Sequence, residues 1–232
     1  MADSELEAPR TAADLYTSLG GEVDEFRPLF TGDVFEFEGG RRVMVLQHPC
    51  AMRGDGLNLA DRVLVAEISA LPELPARWTG HFRLMPLPAL NDPDGRFAGD
   101  FTMIEILAPK DFETGKRIAI LSQIGVNLLL QRWIHHNSRA IVRTSTINDV
   151  TIGPYDEADL TAEWLRECYE VGLDPTDSLK TLDAWLSHRS GKKEPSRRES
   201  LADSQARSGV RAGLRQLLRD RVASVAARPR EE

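Results

Sequence analysis

Hydrophobic residues in the first two-thirds of the chain come in short runs separated by turn residues. Gly32-Asp33 is a turn signal, and Val34, Phe35 and Phe37 follow as strand formers, with Glu36 and Glu38 interleaved. Gly39-Gly40 permits a backbone reversal. Arg41-Arg42 then lead into the apolar run Val43–Leu46, which ends at Gln47-His48-Pro49-Cys50. This predicts a hairpin with two arginines on its loop side and a Gln, a His and a Cys at its far end. Val63–Ser69 reads as a third strand, Trp78–Met85 as a fourth, and Arg96–Leu107 as one or two more. Pro86, Pro88 and the run NDPDG mark turns. Strands at such turn-punctuated intervals are the pattern of a small barrel.

The period then changes. Thr11 caps a short predicted helix, Ala12–Leu19, and Asp111–Arg117 reads as a polar link. Ser122 caps a helix running to about His136. Its apolar residues, among them Ile124, Val126, Leu128–Leu130 and Trp133, occupy more than one stripe. That demands cover on two sides, from the barrel and from a second element or a second subunit. Ala140–Val142 is strand-like, and Asn148-Asp149 and Gly153-Pro154 read as turns. Asp156–Glu170 and Ser178–Ser187, the latter capped by Asp177 or Thr176, form a helical hairpin around Gly172 and Pro175. Residues 189–200 read as a basic linker, and Leu201–Ala227 as a final amphipathic helix. The expected class is α+β, in four parts: 1–27, a barrel with its helix over 28–138, a helical extension over 139–188, and a basic tail over 189–232.

Charge sharpens this division. The net charge is −7, yet residues 189–232 carry +6 and the preceding residues −13. A basic tail on an acidic body suits a nucleic acid or an acidic partner, or folds back onto the body. No apolar run is long enough to cross a bilayer. Cys50 and Cys168 lie far apart in sequence and offer neither a disulfide framework nor a zinc spacing, so a reducing cytoplasm is expected. No cofactor or metal is expected.

Phosphate-loop, zinc-peptidase and nucleophile-elbow motifs are absent. Three constellations remain. Glu36, Glu38, Arg41 and Arg42, with Ser69, hold the residue types that metal-free RNA cleavage needs: a base, an acid, and cations for the developing phosphorane charge. The same charges also serve simply as a solvated hairpin end. His48 and Cys50, beside Gln47, offer a base and a thiol, or a structural cysteine. Arg207, Arg211, Arg215 and Arg219 recur every four residues, forming a ridge for phosphates or for an acidic partner.

The stretches GDVFEF at 32–37, RRVMVL at 41–46, VLVAEIS at 63–69, FTMIEIL at 101–107 and RIAILSQIGVNLLLQRWI at 117–134 together resemble the MazF/PemK-like family, over roughly residues 28–137. The resemblance implies an SH3-like β-barrel of five to six strands with a packed helix. It also implies metal-independent cleavage of single-stranded RNA by a dimeric toxin held by an antitoxin. By position, Arg41 or Arg42 would stabilise the phosphate, Ser69 would be the hydroxyl residue and Glu38 the loop acid. The Arg-Pro pair of the family's second strand is absent, the first loop is short, and residues 138–232 have no counterpart in a minimal toxin. The rival expectation is therefore a non-catalytic interaction protein that recruits a partner through its helical C-terminal part.

Overall fold

The computed structural model describes residues 5–53, 58–74, 78 and 82–226. The chain is α+β. It divides into two compact units, residues 1–24 with 29–151, and residues 25–28 with 152–232.

The first unit is built on a curled, antiparallel, seven-stranded sheet: β1 (Tyr16–Leu19), β2 (Val34–Glu36), β3 (Arg42–Val45), β4 (Val63–Ala70), β5 (Leu84–Pro88), β6 (Arg96–Leu107) and β7 (Lys116–Leu121), in the order β1-β7-β2-β3-β4-β6-β5. The predicted hairpin forms as β2–β3, with Phe35 opposite Val43, and Gly39 and Gly40 both adopt positive φ in its turn. Gly32 is required for a second reason. Its φ is +86°, and a Cβ there would sit 2.7 Å from Leu121 Cδ1. Next to it, fully buried Asp33 accepts from the Phe30 N–H at 2.9 Å and lies 3.4 Å from the Arg117 guanidinium.

Several elements differ from expectation. Residues 12–19 split into a 3-10 turn, Ala12–Leu15, and strand β1, because Tyr16 and Thr17 favour extended backbone and β7 offers an edge. β7 takes the end of the expected polar link. The fourth strand lies at Leu84–Pro88 and includes both prolines expected to make turns. It is the last strand of the sheet, where a missing N–H leaves no ladder bond unmade. Of the expected strand Trp78–Met85, residues 79–81 lie outside the described residues.

Alternate residues along each strand serve opposite faces. One face supplies Phe35, Val43, Val45, Val63, Val65 and Leu107 to a core completed by Leu29, Met52 and Phe112. On the other face Gly99 makes room for Met44, since a Cβ there would lie 2.6 Å from Met44 Cε.

Helix α2 (Gln123–Ser138) follows α1 (Pro49–Met52) in chain order and begins where Ser122 Oγ accepts from the Gly125 N–H at 3.1 Å. Val126 and Leu128–Leu130 are buried, as expected. So are Asn127, Gln131 and Arg132, which meet other parts of the same unit. Asn127 Nδ2 donates to Asn148 at 3.0 Å, Gln131 donates to the Val142 carbonyl at 2.8 Å, and Arg132 donates to the Glu7 and Trp78 carbonyls. The second cover for these buried residues comes from elements of the same unit, while Ile124 stays 53% exposed. Arg132 is pushed down to about 10 by burial, with Glu7 acting against the shift.

The second unit is helical. α3 (Thr144–Glu170) starts well before the expected Asp156, and the division between the units falls within it. No strand forms at Ala140–Val142, and the expected turns at Asn148-Asp149 and Gly153-Pro154 are helical. α4 (Pro175–Ser187) is capped by Asp174, whose carboxylate accepts from the Asp177 N–H, rather than by Asp177 or Thr176. α5 (Arg197–Ser200) and α6 (Arg207–Ala226) complete it. Leu160, Trp164, Cys168, Leu182, Leu186, Leu214 and Leu218 share one core, so residues 152–188 and the tail helix fold together. Trp164 Nε1–H donates to the Ser178 carbonyl at 2.8 Å. Residues 25–28 belong here too: Arg27 pairs with Asp159 at 3.0 Å and lies over the Tyr155 ring.

Candidate functional site

The hairpin arginines follow the alternation of the strand. Arg42 stands opposite Glu36 and Ile68, pairs with the Glu36 carboxylate at 2.5 Å and lies 4.7 Å over the Phe97 ring. Arg41 reaches the other face, where it pairs with Glu105 and covers Phe37 at 5.3 Å. Two neighbouring guanidinium groups thus end on opposite sides of the sheet, each beside a carboxylate. Ser69 is exposed and opposite Ala98, one residue along from Ile68 and so on the face away from Arg42. Glu38 is exposed in the hairpin's 3-10 turn. Among the described residues no hydrogen bond joins Ser69 or Glu38 to either arginine.

At the hairpin's far end the polar cluster organises backbone. His48 caps α1: its Nδ1 accepts from the Cys50 N–H at 3.3 Å. Burial pushes the His48 imidazole below its ordinary range, which keeps that nitrogen an acceptor. Gln47 donates through Nε2 to the Ala51 carbonyl and accepts through Oε1 from the Leu64 N–H, both at 3.3 Å. Cys50 is an exposed free thiol. The lone pair that a general base would offer the thiol is thus directed at a backbone amide.

The arginine ridge is largely occupied. Arg207 and Arg211 face Asp156 at 3.0 and 3.4 Å, and Arg215 makes a two-pronged contact with Glu163 at 2.8 and 3.1 Å. Burial pushes the Asp156 carboxyl up, and the two arginines offset only part of that. Arg219 is exposed and bonds Gln216 at 2.6 Å. The sequence held a signal for this pairing: Asp156 and Glu163 are seven residues apart, hence on one helix face.

Residues 189–200 are pinned rather than free. Arg198 donates to Glu157 at 2.9 and 3.0 Å, to Asp183 at 2.8 Å and to the Ser187 hydroxyl at 3.0 Å. Burial would lower its guanidinium, but the two carboxylates outweigh this and raise it. Arg197 stacks 4.4 Å over Trp185.

Beside this stack lies an open groove of about 520 Å³, lined by Trp185, Arg197, Ala206, Gly209, Gly213 and Gln216. Sequence reading missed it, because its floor is made of small residues on the exposed side of α6. The only signal was the spacing Ala206, Gly209, Gly213, which repeats at helical period. Among the described residues no cluster of His, Cys, Asp and Glu could hold a metal ion. No helix there is long and apolar enough to cross a membrane.

No protein-family model matches this chain, and no curated protein matches it.

Proposed function

We propose that the chain is an interaction protein: a half-barrel related to the SH3-like barrel of the MazF/PemK type, without an assembled ribonuclease set, joined to a helical unit that receives a protein partner. The observation that carries this reading is the separation of Arg41 and Arg42, tied to Glu105 and Glu36 on opposite faces. Cleavage of RNA needs its cations gathered at one phosphate. The tail supports the same reading, because three of its four ridge arginines already face Asp156 and Glu163 within the second unit. The open groove beside Trp185 and Gly209 is the surface this reading assigns to the partner.

Two measurements test the proposal. Wild type and the Arg41→Ala/Arg42→Ala variant are compared for cleavage of single-stranded RNA in chelator. Neither is expected to cut. Cleavage by wild type that the variant loses would establish the toxin-type endoribonuclease instead. In parallel, the protein is isolated from its native cells, with and without Gly209→Leu. A Cβ at Gly209 meets nothing within 4 Å, so that change fills the groove without a clash. The wild type is expected to bring down a stoichiometric partner and the variant to lose it. A partner retained equally by both moves the interaction elsewhere.

A further inference from the structure

We infer that the groove beside Trp185 takes a carboxylate onto Arg197, supplied by an Asp or Glu side chain of the partner protein. The inference rests on the interaction reading above and gives the partner a chemistry. Residues 189–215 contain six arginines. Five face carboxylates of the same unit: Arg189 meets Glu199 at 2.7 Å, Arg198 meets Glu157 and Asp183, Arg207 and Arg211 meet Asp156, and Arg215 meets Glu163. Arg197 differs, because among the described residues it pairs with no carboxylate.

Arg197 is nevertheless held in place. It is half-buried, its Nη1–H donates to the Trp185 carbonyl at 2.9 Å, and its guanidinium lies 4.4 Å over the Trp185 ring. Among the described residues its Nε and Nη2 make no hydrogen bond. The spare edge is the one that Arg215 presents to Glu163, with the two-pronged geometry that matches a carboxylate. Stacking already fixes the side chain, so little rotamer freedom is lost when that edge is engaged. The groove leaves room for the rest of a partner segment. A Cβ added at Gly209 meets nothing within 4 Å, and Gly213 lets α6 approach Trp185, since a Cβ there would lie 3.3 Å from Trp185 Cζ2.

A nucleic acid suits this wall less well. Holding a phosphate backbone draws on several free cations, and five of the six arginines are neutralised within the unit. Gln216, also in the groove wall, accepts from Arg219 at 2.6 Å and donates to Asp220 at 2.7 Å, so a carboxylate stands beside that further cation. One spare, stacked guanidinium accommodates one carboxylate on a protein segment.

Selection of short phage-displayed peptides on the full chain tests this. The selected peptides are expected to share an Asp or Glu at one position. The tightest is then synthesised with its acid and with the corresponding amide, and both are titrated against wild type, Arg197→Gln, Arg197→Lys and Gly209→Leu. The amide should bind wild type about tenfold more weakly than the acid. Arg197→Gln should lose the same factor and cease to distinguish the two peptides, Arg197→Lys should recover part of it, and Gly209→Leu should abolish binding. Acid and amide bound equally by wild type would overturn the inference without recourse to any variant. So would a preference for the acid that Arg197→Gln leaves intact; if Gly209→Leu still abolishes binding in either case, the groove remains the partner's surface. Binding indifferent to Gly209→Leu, or no enriched peptide at all, overturns the groove assignment as well. Displacement of the acidic peptide by a single-stranded RNA oligonucleotide would transfer the site to nucleic acid.

Discussion

The Tyr16 hydroxyl donates a hydrogen bond to the Pro88 carbonyl at 2.9 Å, joining the strand at one end of the sheet order to the strand at the other. The sheet is thus curled far enough for its two ends to be linked by a side chain, without a ladder between them. Burial pushes the Tyr16 phenol well above its ordinary range, so it remains a donor. Tyr16→Phe should cost about 1 kcal/mol in denaturant unfolding, since the half-buried carbonyl loses its partner. A raised phenol stabilises the fold below the unfolded value of 10.0, and that contribution fades as pH rises past it. The gap between wild type and variant should therefore narrow above pH 10. A gap that is constant or widening there would count against this bond.

The two hairpin arginines should differ in their contribution to stability. The Arg41–Glu105 pair has both side chains about two-fifths exposed and should contribute about 0–1 kcal/mol. Arg42 is 19% exposed, paired and stacked on Phe97, so Arg42→Ala should cost roughly 1 kcal/mol more than Arg41→Ala. A double-mutant cycle with Glu36→Gln measures the pair directly, and a coupling near zero would remove it as a determinant.

His48 makes the hairpin's far end sensitive to acid. Its imidazole is depressed by burial, so the unfolded chain takes up a proton first as pH falls below 6.5. Stability is lost over the window from 6.5 down to the folded value, where protonation also removes the cap's acceptor. His48→Asn keeps a capping oxygen and does not titrate. Wild type should weaken relative to this variant as pH drops from 7 to 5, read by thermal unfolding at each pH. Parallel curves would show that the cap is not titrating.

Arg198 joins α5 to α3 and α4 through Glu157, Asp183 and Ser187. Arg198→Lys keeps the charge and loses the fork, so it should restore only part of the roughly 1–3 kcal/mol that Arg198→Ala costs. Amide exchange in residues 175–200 should report the loss. Unchanged protection there would mean that the core around Trp164 holds α5 without the arginine.

Two local signals were legible because each rests on one residue's own backbone chemistry. The β2–β3 hairpin follows from Gly39-Gly40, whose positive φ few other residues accept, and α2 begins at Ser122 because its hydroxyl satisfies a free amide. The elements that were misread have their cause far away in sequence. β1 is a strand because β7 lies beside it, more than a hundred residues later. Gly153-Pro154, a turn pair in isolation, lies inside α3, where Ala202 packs 3.2–3.4 Å from the position of a Gly153 Cβ. The candidate site was the hardest to read, because adjacency in sequence suggested that Arg41 and Arg42 act together, whereas strand alternation sends them apart.

Pattern and composition were sufficient for the α+β class, the Gly39-Gly40 turn and the Ser122 cap, since each depends on periodicity or on one residue's own backbone preferences. Which carboxylate each arginine meets depended on the folded chain. Glu105 lies 64 residues from Arg41 and Glu163 lies 52 from Arg215, and such separations are closed only by strand register and helix packing. The curl that brings Tyr16 to Pro88 has the same origin. It arises from how neighbouring elements fit against one another, a property that no single segment carries.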